Sequence, residues 1–162
     1  MLVSRFDRET LAGFVNPQTY LTLAGVELLT IAGSLCVLPY LDVKTVCFVR
    51  DFQQGEPRKD LRLFVSRPKT EGLWLRMVFR DGDVMDGVLA NNLLLIEPSG
   101  FTVVPPDPGY RKQRLFVPRA ALSQIQVLGV VGSALHRGRK KPAVPGVKEQ
   151  LSIFDGGLPV PE

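Results

Sequence analysis

The chain is poor in histidine, cysteine and aromatic residues, and it has no long apolar run. Its one histidine is His136, and its two cysteines are Cys36 and Cys47. That inventory excludes a zinc finger, a zinc ribbon and a His-rich catalytic metal centre, each of which needs several such ligands. It also leaves Ser-His-Asp or Cys-His chemistry without a well-placed base, since His136 lies in a Gly/Lys/Arg/Pro-rich segment. Neither GxxxxGK[ST] nor GxGxxG occurs, so no loop is marked out to cradle a phosphate. Carboxylates are present, but no spacing marks an acid/base couple. The expectation is a protein that is not an enzyme and that uses no metal and no cofactor.

The uncharged stretch Leu28 to Leu41 contains Pro39 and falls short of the ~20 apolar residues a membrane helix needs. Arg5, Asp7, Arg8 and Glu9 near the start do not read as a secretory leader. A cytoplasmic protein with reduced thiols and no membrane partner is expected. Cys36 and Cys47 each sit in an apolar, β-branched neighbourhood and read as strand residues, not as a bridge. What the chain does have is 13 prolines and 15 glycines, too many for a helical bundle, and 45% apolar residues, enough for a core. Short strands and frequent turns follow. The net charge is +4. Residues 1–130 hold 15 basic and 13 acidic side chains; residues 131–162 hold five and three. Positive charge is thus concentrated in the C-terminal segment.

Self-similarity organises the chain. Val37-Leu38-Pro39, with the alternating stretch to Val49, lies over Phe116-Val117-Pro118 and the stretch to Leu128. Gly25–Leu29 matches Gly100–Val104, Leu11–Val15 matches Met85–Leu89, and Phe6 matches Phe79. The order is kept while the offset drifts from 73 to 79, with the changes falling in turns. Each copy reads as about five short strands. In the second copy Leu73, Leu75, Met77 and Phe79 share one face, and Trp74, Arg76, Val78 and Arg80 the other, a period of two. Asp81-Gly82 then predicts a tight hairpin turn. Gly13 and Gly87 predict a bend or bulge in the second strand of each copy. Leu115–Val117 and Ser123–Leu128 close the copy, joined across Pro118 by one 3₁₀ turn.

This order of elements resembles the Sm-like small β-barrel, in which a bent, glycine-containing second strand and a short 3₁₀ link between the last two strands are family features. Gly13, Gly87 and the Pro39 and Pro118 turns carry the resemblance. The chain also resembles the uncharacterised tandem small-barrel proteins of bacteria. The expected fold is all-β: two tandem Sm-like small β-barrels over residues 1–52 and 70–131, a connector over 53–69, and a flexible C-terminal tail over 132–162. Leu61–Val65 is expected to form an extra strand that docks the barrels. Leu63, Phe64 and Trp74 are the candidate fillers between them, Trp74 by packing before any stacking on a ligand.

In the tail, Gln150-Leu151-Ser152-Ile153-Phe154 places apolar side chains in a polar segment with no core to enter. The string resembles the sliding-clamp-binding motif of bacterial replication and repair proteins. The resemblance implies that Gln150 hydrogen-bonds at the clamp pocket while Leu151, Ile153 and Phe154 anchor the peptide. A fold-back of the same residues onto the barrels as a terminal strand is the alternative. The expected function is therefore a non-enzymatic adaptor, with barrels as interaction module and tail as docking peptide, and the bacterial sliding clamp as candidate protein partner. A second reading is an RNA or single-stranded DNA binder using Tyr110, Arg111, Lys112, Arg114 and Arg119 with Arg137, Arg139, Lys140 and Lys141. Nearly neutral barrels argue against it. A third is an oligomer-forming protein, because strand edges can pair between chains. The sequence leaves the oligomeric state open.

Overall fold

The computed structural model of the chain describes residues 1–50, 52, 62–92, 94, 96–106 and 114–132. Ten strands run through them: β1 (Leu2–Arg5), β2 (Thr10–Phe14), β3 (Val26–Thr30), β4 (Leu35–Leu38), β5 (Val43–Cys47), β6 (Gly72–Phe79), β7 (Val84–Leu89), β8 (Gly100–Val104), β9 (Leu115–Pro118) and β10 (Leu122–Val131). Period-two patterning explains their faces. In β6, Leu75, Met77 and Phe79 point into the core while Trp74, Arg76 and Val78 stay half-buried on the other side. The Asp81-Gly82 turn sets the β6–β7 register, Val78 opposite Val84 and Arg76 opposite Asp86. A 3₁₀ turn at Arg119–Ala121 links β9 to β10, where Pro118 predicts it.

All strands pair antiparallel in a single sheet of order β10-β6-β7-β8-β9-β5-β1-β2-β3-β4. The fold is all-β. Its sheet is open and continuous, where the sequence reading expects two separately closed barrels. The reason is the pairing of β5 with β9, Val46 opposite Phe116 and Cys47 opposite Leu115, which joins the first five strands to the last five edge to edge. The expected strand over Leu61–Val65 is also not formed. Leu61 lies outside the described residues, and residues 62–65 run as an irregular segment held to β7. Leu63 and Val65 are exposed in that segment instead of filling a seam.

Within the sheet, β1–β5 and β6–β10 repeat one pattern. Each follows the order fifth-first-second-third-fourth. The first hairpins carry the same backbone hydrogen bonds, Arg5 N to Glu9 O and Phe79 N to Asp83 O. Arg8 at φ 70° occupies the place of Gly82 at φ 84°. Both closing strands bulge at the equivalent place, after Val43 beside β1 and after Leu122 beside β6, and β10 bulges a second time after Val127. This register pairs Arg5 with Phe79 and Phe6 with Arg80, so the match of Phe6 to Phe79 is one residue out. Gly13 and Gly87 are equivalent as expected: a Cβ on Gly13 would come within 2.4 Å of the Leu29 carbonyl, and one on Gly87 within 2.8 Å of Val103. The third strand of each half approaches too closely for a side chain.

The cores interlock at the junction. Leu28, Val26, Val43, Val46 and Val3 form one apolar cluster, and Phe116 of β9 completes it from the other half. Leu75, Met77, Phe79, Leu115 and Val117 form the other, into which Leu2 and Cys47 reach. Successive residues of β9 and β5 face opposite sides of the sheet, so one strand pair feeds both cores. No helix among the described residues is long and apolar enough to cross a membrane.

Candidate functional site

Three features of the described residues could carry function, and the first lies at the junction. Lys44 projects from β5 on the extra residue of its bulge. Asp81 and Asp83 come from the β6–β7 turn. Lys44 pairs with Asp81 and, at 2.5 Å, with Asp83, which also accepts from Arg62 at 2.5 Å. The Lys44 ammonium lies 5.2 Å from the centre of the Phe79 ring and 5.8 Å from that of Phe6. On the far wall Arg5 pairs with Asp7 at 2.8 Å and Glu9 at 3.0 Å. The cleft between these groups holds about 750 Å³. Apart from the Arg5 Nε, which is buried without a hydrogen-bond partner, these side chains pair with one another, and the Lys44 and Arg62 pairs bind the β6–β7 turn to the residues packed on it.

Hydrogen bonds from Lys44 and then Arg62 pull the Asp83 carboxyl down to about 2 from its ordinary 3.8. A carboxylate depressed in the folded state adds stability above its unfolded value and loses it as pH falls toward the folded one. Asp83 is partly exposed, so the effect is reduced by solvent. The urea midpoint of the wild type should therefore fall more steeply than that of Asp83→Asn between about pH 4 and pH 2. Parallel curves for the two proteins across that window would show that the pairs contribute nothing.

The second feature is Asp86, a fully buried carboxylate in the middle of β7. It accepts from Arg76 Nε at 2.8 Å and a second guanidinium nitrogen at 3.2 Å. Trp74 Nε1 and the Phe64 amide each donate to it at 3.3 Å. Its own amide donates to the Arg62 carbonyl at 2.8 Å. Asp86 thus ties the 62–64 segment to the sheet. The Trp74 ring, edge-on to Phe64 at 6.1 Å between centroids, is packed by the same tie. The sequence reading passed over Asp86. The signal was partial: a three-residue loop Arg80-Asp81-Gly82 sets Asp86 directly across from Arg76, whereas a two-residue Asp81-Gly82 loop sets Gly87 there.

The third feature is an apolar row on the outer face of β2, β3 and β4. Register places Phe14 opposite Leu29 and Leu29 opposite Leu35. These side chains are 57%, 41% and 64% exposed. Val15, Asn16 and Glu27 complete a shallow groove of about 350 Å³ around them. The sequence reading did not single out this row, because alternation shows which residues face outward but not that three of them align across strands.

Of the residues expected to bind partners, Gln150, Leu151, Ser152, Ile153 and Phe154 lie outside the described residues, as do Tyr110, Arg111, Lys112, Arg137, Arg139, Lys140 and Lys141. Arg114 and Arg119 are described and exposed. They flank the two ends of β9, about 16 Å apart along an extended strand, and Arg119 is stacked on Phe101 at 5.1 Å. They form no shared basic patch. Among the described residues no group of three or more His, Cys, Asp or Glu is placed to hold a metal ion.

Comparison with curated proteins and with solved structures finds no match. A protein family described as a family of unknown function, DUF6982, matches residues 1–129, which is the whole of the ten-stranded sheet but the last residues of β10. The fold and features above are therefore those of a member of the DUF6982 family, to which this chain belongs.

Proposed function

We propose that this chain is a non-enzymatic adaptor of the cytoplasm, with its strand-built part as interaction module and its C-terminal segment as docking peptide. The observation that carries the reading is the aligned row Phe14, Leu29 and Leu35, a partly exposed apolar strip with Phe14 edge-on to Phe52 at 5.3 Å, on strands that bury Val26 and Leu28 on their other face. Scattered exposed apolar residues are ordinary; a contiguous strip across three strands fits a protein partner. Each half is read here as a small Sm-like barrel module, on the support of the shared strand order and the glycine-bent second strand. The docking peptide is Gln150–Phe154, and its proposed receptor is the bacterial sliding clamp.

Affinity capture from cells with the wild-type chain and with a Phe14→Ser, Leu29→Ser double variant tests the strip. Both positions are exposed, so the fold should persist. The variant should lose a specific protein that the wild type retains; identical captured sets would overturn this part of the reading. For the tail, Phe154→Ala should weaken binding of purified clamp to the full chain by about tenfold or more. Absence of clamp binding by the wild type would remove the clamp and leave the strip to stand or fall separately.

A further inference from the structure

The apolar strip on β2, β3 and β4 has one charge set into it. Glu27 precedes Leu29 by two residues on β3, so both leave the same face, and Glu27 is the one charged side chain lining the groove with Phe14, Leu29 and Leu35. Among the described residues no Lys or Arg pairs with it. An occupant that fits brings several apolar side chains in a short length, with a cation beside them. Such a segment stands in the chain itself, outside the described residues: Leu151, Ile153 and Phe154 fall within four residues, and Lys148 precedes Leu151 by three. Its reach is sufficient. The described residues end at Gly132, directly after β10, and residues 133–150 separate that point from Leu151. In the sheet order β10 and β4 stand at opposite ends, nine pairings apart. At about 4.8 Å per pairing, the far side of the strip is no more than about 43 Å away across the sheet. The intervening residues span up to about 60 Å.

We infer that the C-terminal segment of this chain seats itself on the strip, Leu151 on Leu29, Ile153 toward Leu35, Phe154 beside them and Lys148 paired with Glu27; this rests on the strip being a docking surface and names its resident occupant. The spacing agrees with the charge. With Leu151 over Leu29, Lys148 lies about 10 Å away along an extended chain and Glu27 about 7 Å away along β3, a difference the long lysine side chain covers. A peptide tethered to its own receptor acts at an effective concentration in the millimolar range, so a weak contact suffices to keep it seated. Strip and peptide then cover each other. A partner for the strip must displace the peptide, and a receptor for Gln150–Phe154 must draw the peptide off the strip. By linkage each ligand raises the affinity of the chain for the other. The chain binds either partner weakly until one of them has opened it, which is the behaviour of an adaptor that joins two proteins only when both are present.

The test uses the full chain. A fluorescein-labelled peptide, Lys148–Asp155, should bind a variant whose own segment is disabled (Leu151→Ser, Ile153→Ser, Phe154→Ser) about tenfold or more tightly than it binds the wild type, whose strip is taken. Adding Phe14→Ser and Leu29→Ser should abolish that binding. In the triple-serine chain Glu27→Lys should weaken the peptide several-fold, and a peptide carrying Lys148→Glu should recover the loss. In a Cys36→Ser background, Leu35→Cys with Ile153→Cys should close a disulfide within one chain on mild oxidation. The control pairs Val65→Cys with Ile153→Cys. Val65 is fully exposed and lies off the strip, two residues from Arg67, which donates to the Val130 carbonyl near the root of the segment, so chance collision favours the control. Docking should make the Leu35 pair close about tenfold or more faster. Equal peptide affinity for the wild type and the triple-serine chain, faster or equal closure of the control, or a cross-link between chains in place of one within a chain would each overturn the inference. Should these fail while Phe14→Ser, Leu29→Ser still loses a captured protein, the strip remains a docking surface and only its resident occupant is struck out.

Discussion

Phe116→Ala should cost the folded chain about 3–5 kcal/mol, the range for removing a fully buried phenylalanine. The ring leaves β9 on the side opposite Leu115 and Val117 and enters the first half's core, beside Val3, Val26, Leu28, Val43 and Val46. It meets Tyr20 edge to face, with centroids 6.1 Å apart and an interplanar angle of 83°. No other side chain of the second half belongs to the fully buried part of that cluster. Deleting it opens a cavity at the point where only two registered residue pairs hold β5 to β9. Since domains of this size have net stabilities of about 5–15 kcal/mol, a loss of this size is a large share of the whole. Chemical denaturation measures it. Phe101→Ala is the control: Phe101 is half-buried within its own half and should cost clearly less. Equal losses for the two variants, or a loss under about 1 kcal/mol for Phe116→Ala, would show that the junction is not where the halves cohere.

Asp86→Ala should rank second, at about 2–4 kcal/mol. Truncation leaves the Trp74 indole N–H and the Phe64 amide without their acceptor, and unsatisfied buried donors cost about 1–3 kcal/mol each. The Arg76 guanidinium is partly exposed and can turn to water, which keeps the total below that of a fully enclosed ion pair. Asp86→Asn keeps the shape and one acceptor oxygen, so its loss should be smaller. Trp74 is the only tryptophan, so its fluorescence reports the site directly. Release of the 62–64 segment should red-shift its emission in Asp86→Ala under conditions where far-ultraviolet circular dichroism is still native. An unchanged spectrum with unchanged stability would mean that the carboxylate is not what holds the segment.

The two predictions separate what could be read along the chain from what could not. Asp86 was partly within reach of the sequence. Asp81-Gly82 marks a hairpin, and its three-residue loop Arg80-Asp81-Gly82, closed by Phe79 N donating to Asp83 O with Gly82 left-handed, sets Arg76 against Asp86, where a two-residue loop sets it against Gly87. The equivalence of Gly13 with Gly87 was legible for a similar reason, because the requirement for no side chain is local. Phe116 was not. Alternation on β9 says that Leu115 and Val117 share a face and that Phe116 does not, but not what lies beyond the other face. The Lys44–Asp83 pair and the Phe14–Leu29–Leu35 row were hidden for the same reason: each joins residues brought together by pairing between strands distant in sequence, or across three strands at once.

Periodicity, glycine and proline placement, and the repeat are short-range properties of the chain, and they alone settled that it is all-β, where most strands lie, and which residues face inward. Whether five such strands close on themselves or join edge to edge with their twins depends on a choice between partners of nearly identical pattern. Backbone hydrogen bonding does not discriminate between such edges. The choice fell to side-chain burial in three dimensions, the fit of Phe116 under Tyr20 and of Leu2 and Cys47 against the second core. That fit made one sheet of two halves and left β4 and β10 open.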